Sequence, residues 1–193
     1  MRALVIHAHP VPESYSAALR QTVVDTLKQN EWEVDLCDLY QENFNPILSQ
    51  EERRNYHSIP ENRASVESYI QRVQKADGIF FIYPVWIFGF PAILKGFLER
   101  VMVPGVAFNI EDGKIKAVQS KTNCLVCVAT YGGNWLRAFM TLDPPRMIAY
   151  SNLRFYFQPN VFKYLALYDM NNADDTKRGH FLKKVKQQIS QLQ

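Results

Sequence analysis

Apolar and polar positions along the chain alternate between two rhythms. Short apolar runs, nearly unbroken at 3–7, 78–83 and 123–129 and interrupted by charged residues at 32–37 and 161–167, have the length expected of strands. Between them apolar residues return every three or four positions. Leu19, Val23 and Leu27 set that spacing within 14–29, and similar patterns predict helices over 63–75, 91–101 and 174–191. The stretch 136–150 reads as partly helical, broken by Asp143-Pro144-Pro145. A polar connection covers 41–61, and 109–121 reads as turns around Asp112-Gly113. Strands alternating with helices predict an α/β fold: one parallel sheet with helices on both faces. Five strands at this length fit the order 2-1-3-4-5. No repeat or linker interrupts the pattern, so one domain over 1–193 is expected.

Charge and cysteine usage narrow the function classes. The formal net charge is +3 in 193 residues, and the Lys and Arg residues are scattered. That argues against a nucleic-acid-binding face. No run approaches the roughly 18 apolar residues of a membrane span, and the first residues lack a long apolar signal core. A cytoplasmic protein without membrane insertion is expected. Cys37, Cys124 and Cys127 are odd in number, which argues against a disulfide framework. Cys124 and Cys127 fall three apart on one predicted strand, so their sulfurs face opposite sides of the sheet. Both read as small core residues, and no metal site is expected.

In such a sheet, ligands sit beyond the carboxyl ends of the strands, near the point where strand order reverses. The segment after the first strand, His7-Ala8-His9-Pro10-Val11-Pro12-Glu13-Ser14-Tyr15-Ser16, has no glycine, so it is not a nucleotide fingerprint of the glycine-rich kind. Ser14 or Ser16 would cap the next helix, whose N-terminus suits a phosphate, with His9 as a further donor. His7 is expected to point into or along the sheet, without a role. After the third strand comes Tyr83-Pro84-Val85-Trp86-Ile87-Phe88-Gly89-Phe90-Pro91. So many large apolar groups in one loop are costly to leave in water. A flat apolar ring would cover them, as would a subunit interface or burial as a core loop. After the fourth strand, Thr130-Tyr131-Gly132-Gly133 lets backbone N–H groups approach a ligand closely, or forms a simple turn.

Together these segments resemble the NAD(P)H:quinone oxidoreductase family, which has the flavodoxin-like fold. The resemblance rests on Asp38-Leu39-Tyr40 with Asn43-Phe44-Asn45-Pro46-Ile47. It rests also on Phe88-Gly89-Phe90-Pro91-Ala92-Ile93-Leu94-Lys95-Gly96 with Glu99-Arg100-Val101, and on Phe108. It implies a homodimer with a flavin near the subunit interface. His9, Ser14, Tyr15 and Ser16 would contact the cofactor phosphates and nearby groups. Pro84, Val85, Trp86, Ile87 and Phe88 would line the ring, and Thr130, Tyr131, Gly132 and Gly133 would bind its polar edge. Met170, Arg178 and Leu182 are spaced like the family positions around an adenine, which favours FAD over FMN. The same residues also suit an ordinary amphipathic helix.

The departures concern the acceptor side. The larger family members carry a Tyr and a His after the Gly-Gly pair, whereas here Asn134-Trp135-Leu136-Arg137 follows. Tyr131 stands as the one candidate to replace that Tyr as a catalytic residue. The ring-contacting Trp position holds Ile87, with Trp86 displaced by one. The implied activity is a ping-pong hydride transfer from NAD(P)H through the flavin to a quinone or similar small acceptor. Two other readings stay open: an ancillary subunit of a potassium-efflux system and a flavodoxin-type electron carrier.

Overall fold

A computed structural model describes residues 1–192. Its main sheet contains β1 (Arg2–His7), β2 (Glu33–Asp38), β3 (Gly78–Val85), β6 (Cys124–Tyr131) and β7 (Val161–Leu167), all parallel, in the order β2-β1-β3-β6-β7. This is the predicted 2-1-3-4-5 order, because β4 (Phe108–Glu111) and β5 (Lys114–Ala117) form a separate hairpin. The hairpin replaces the expected run of turns. Asp112 and Gly113 both take left-handed φ, 52° and 71°, as a two-residue turn of matching twist requires.

Helices cover both faces. α1 (Tyr15–Gln29) and α8 (Asp175–Ser190) pack on one side through Leu19, Val23, Leu27, Phe181, Val185 and Ile189. On the other side lie α3 (Glu67–Lys75) and α4 (Ala92–Val101), with Ile70, Val73, Leu94 and Phe97 in the core. The short α2 (Gln50–Arg54) begins at a capping box formed by Ser49 and Glu52. α5 (Trp135–Met140), α6 (Pro144–Ile148) and α7 (Arg154–Phe157) follow β6, and one π-helical turn joins the last two. The prolines at 144 and 145 start α6 rather than only ending what precedes them. Cys124 and Cys127 belong to opposite core layers, and all three cysteines are buried thiols.

Two features set the strand tips. β3 and β6 each run two residues past the apolar pattern, with Pro84 opposite Thr130 and Val85 opposite Tyr131. Pro84 and Val85 are therefore strand, not loop. A proline reads as a break in sequence, yet here it falls where the ladder is already ending. Beneath β3, α4 lies hard against the chain at Pro46. A Cβ on Gly96 would collide with the Pro46 carbonyl oxygen, so only glycine permits this approach.

Candidate active site at the strand tips

Residues 8–14 carry the chain from β1 into α1. Ser14 caps the helix, its side chain accepting the Ala17 N–H at 3.2 Å. Helix geometry leaves the first N–H groups, those of Tyr15 and Ser16, without intrahelical acceptors, so the positive end of α1 opens at the sheet edge. His9 Nδ1 accepts the Val11 N–H at 3.0 Å. The neutral ring therefore carries its proton on Nε2, as a donor. Burial lowers the pKa of His9 and favours that neutral form.

Ser16 behaves differently from the expectation of a hydroxyl facing a phosphate. Its side chain is buried, and its Oγ lies 3.3 Å from His7 Nε2. His7 Nδ1 lies 2.9 Å from Asp38 Oδ2, which Arg20 also approaches at 2.9 Å. With Nδ1–H directed to the carboxylate, Nε2 accepts the Ser16 hydroxyl. Only the backbone N–H of Ser16 remains for a ligand. Burial pushes the His7 pKa down although Asp38 opposes it, and Asp38 itself is lowered by His7 and Arg20 despite its burial. Sequence reading gave His7 no role; its signal was a histidine ending a strand whose neighbour ends in an aspartate.

The β3 tip is a tight turn. Trp86 and Gly89 exchange backbone hydrogen bonds of 3.1 and 2.9 Å. Ile87 and Phe88 between them both take left-handed φ, 49° and 50°. For a β-branched residue this is a conformational outlier, and the Ile87 side chain is 100% exposed. Phe88 packs partly on the core, and Trp86 meets His9 edge-on at 5.9 Å. The first and third tips therefore touch.

At the β6 tip, Gly133 O accepts the Asp169 N–H at 2.8 Å, which ties this tip to that of β7. A Cβ on Gly132 would stand 3.2 Å from Asn171 Nδ2. Across α1, the Tyr15 hydroxyl donates to the Arg178 carbonyl at 2.8 Å, and burial pushes its pKa up to about 12. Tyr15, Met170 and Leu182 are all partly buried against the same core layer. The buried Arg178 Nε has no protein partner among the described residues.

Residues 1–189 match the family described as flavodoxin-like fold. The chain belongs to that family. Its solved neighbours include an NAD(P)H:quinone oxidoreductase of Methanothermobacter marburgensis, with TM-score 0.84 and 25% identity over 100% of this chain and 99% of that one. An uncharacterized NAD(P)H oxidoreductase of Haemophilus influenzae is 41% identical over 117 residues, 59% of this chain and 56% of the relative. NAD(P)H dehydrogenase [quinone] 1 of Rattus norvegicus is 33% identical over 147 residues, 68% of this chain and 54% of the relative. The chain thus spans about half the length of these curated relatives.

One feature of this flavodoxin-like chain departs from the sequence expectation. Tyr131 presents no free hydroxyl at the tip. Its side chain is buried, and its Oη donates to Asp143 Oδ1 at 2.6 Å. Since that proton is used, the Tyr164 hydroxyl 2.6 Å away must donate to Tyr131, and Tyr83 at 3.4 Å donates to Tyr164. Tyr168 donates to the other Asp143 oxygen at 2.8 Å. Burial drives the Tyr131 and Tyr164 pKa values far up and that of Tyr168 to about 12. Asp143 was legible only as a residue before two prolines, and Tyr164 only as part of the apolar run at 161–167. Tyr131 and Tyr164 meet because β6 and β7 lie side by side.

The tips fit a flavin on their own chemistry. The α1 N-terminus and the orphaned Arg178 Nε are donors suited to phosphate and other acceptor groups. The exposed Ile87 and half-exposed Trp86 form the apolar face a flat ring needs.

Proposed function

We propose that the chain is a flavin-dependent NAD(P)H oxidoreductase that reduces a quinone or a similar small acceptor, with FAD favoured over FMN. One observation carries this reading: a strained turn that holds a fully exposed Ile87 beside the anion-ready end of α1. A left-handed L-residue costs roughly 1–2 kcal/mol, and an apolar side chain left wholly in water adds no stability to offset it. Such strain persists where a ligand uses it.

In this reading the N–H groups of Tyr15 and Ser16 and the His9 Nε2–H hold the phosphates. Trp86, Ile87 and Phe88 support the ring, with Pro84 and Val85 fixing where the turn begins. Thr130, Gly132 and Gly133 place main-chain donors at its polar edge, where negative charge is stabilised. When bound, the flavin supplies two-electron chemistry, passing a hydride from NAD(P)H to the acceptor. The net reaction takes NAD(P)H, one proton and a quinone to NAD(P)+ and a hydroquinone. Nicotinamide and acceptor use one slot in turn, in ping-pong fashion, and Tyr131 serves by positioning Asp143 instead of by touching substrate. Pairing of two copies, implied by the resemblance, belongs to the same proposal.

Steady-state quinone reduction with NADH and with NADPH, on protein loaded with FAD or FMN, tests it. Parallel double-reciprocal lines are expected. Bound flavin without nicotinamide-dependent turnover would favour an electron carrier, and failure to take up either flavin would favour an ancillary role.

A further inference from the structure

Beside the β6 and β7 tips lies a groove of about 810 Å³. Its apolar wall comes from Trp135, Phe139, Leu142 and Met147, which are 62%, 67%, 78% and 56% exposed. Its polar wall comes from Asp143, Arg146 and Tyr168. Two residues of the wall are strained: Leu142 and Asp143 are consecutive left-handed residues, with φ 62° and 43°. Two phenols donating to Asp143 hold this turn in place.

Those phenols have an electrostatic consequence for Arg146. On a helix start, Asp143 and Arg146 stand three apart, a spacing that allows an ion pair. Here both Asp143 oxygens are taken by Tyr131 and Tyr168. The Arg146 guanidinium instead lies over the rings of Tyr150 and Tyr164, at 5.6 and 5.5 Å from their centroids. No carboxylate among the described residues pairs with it. A cation held over aromatic faces but without a carboxylate partner among the described residues thus borders an apolar groove. Low-dielectric walls strengthen its pull on an anion, and its planar fork fits paired oxygens.

We infer that Arg146 selects planar aromatic acceptors that carry an anionic group, such as an enolate, carboxylate or sulfonate, with the ring against Trp135 and Phe139. This rests on the oxidoreductase reading and names the acceptor class for it. The probes are 2-hydroxy-1,4-naphthoquinone, an anion at neutral pH, and uncharged 1,4-naphthoquinone. In the flavin-loaded protein, Arg146→Ala should lower the ratio of their kcat/KM values about tenfold, the size of one charge-assisted contact. The change should appear mainly in KM for the anion, and Arg146→Lys should restore part of it. Equilibrium dialysis of the hydroxyquinone against flavin-free protein should show the same order of affinities, weakened by salt. An unchanged ratio together with unchanged dialysis affinity overturns the inference. If no nicotinamide-dependent turnover occurs but dialysis still depends on Arg146, the anion site stands and the enzymatic reading falls.

Discussion

Replacing Ile87 with Asn separates the cost of the β3 turn from its use. Asn adopts left-handed backbone readily, whereas a β-branched residue does so at roughly 1–2 kcal/mol. The Ile87 side chain is fully exposed, so the substitution removes no packing from the flavin-free protein. Ile87→Asn should therefore stabilise that form by about 1 kcal/mol, raising Tm by roughly 2–4 °C for a chain of this size. The same change removes apolar surface from the ring contact. Burying a whole Ile is worth about 1.5–3 kcal/mol, and a ring covering half of it would forfeit about 1 kcal/mol, or about fivefold in Kd. Thermal unfolding without flavin and fluorescence titration with FAD measure the two effects on one preparation. The expected signature is opposite signs: higher Tm, weaker flavin. A lower Tm would mean that the turn is not strained, and an unchanged Kd would mean that no ring rests there.

Gly96→Ala should destabilise the fold by about 1–3 kcal/mol, because the new Cβ meets Pro46 backbone; a urea midpoint at or above wild type would contradict the packing of α4. His7 binds its proton less readily folded than unfolded, whose pKa is 6.5. Its contribution is complete above that value and is lost as pH falls below it toward the lower folded pKa. His7→Gln should flatten this fall in urea midpoint, and an equal slope in both proteins would refute it. Arg178→Ala should lower the ratio of FAD to FMN affinity about tenfold, read by competitive titration; an unchanged ratio would remove Arg178 from the adenylate side.

Much of the fold was visible in the alternation of apolar runs with helical spacing, because each buried strand and amphipathic helix imprints its own period. Boundaries slipped where local chemistry and tertiary pairing disagree. Pro84 reads as a break, yet the β6 neighbour extends the ladder through it. Phe108–Glu111 and Lys114–Ala117 are too short and too polar to announce a hairpin, and only the Asp112-Gly113 turn hinted at one. For the candidate site, the loop compositions single out three strand tips, and the structure brings the β1 and β3 tips into contact. Side-chain direction was not legible: Ser16 turns toward His7, and Tyr131 toward Asp143. The Asp143 cluster joins Tyr83, Tyr131, Tyr164 and Tyr168 across 85 residues of chain, a convergence no local window contains.

Anaerobic titration of the flavin-loaded protein with NADH and NADPH is the most direct test that the strand tips hold a working redox ring. One equivalent of nicotinamide should bleach one bound flavin, and a quinone should restore the colour. A flavin that stays oxidised with both nucleotides, or a protein that binds neither FAD nor FMN, would contradict it.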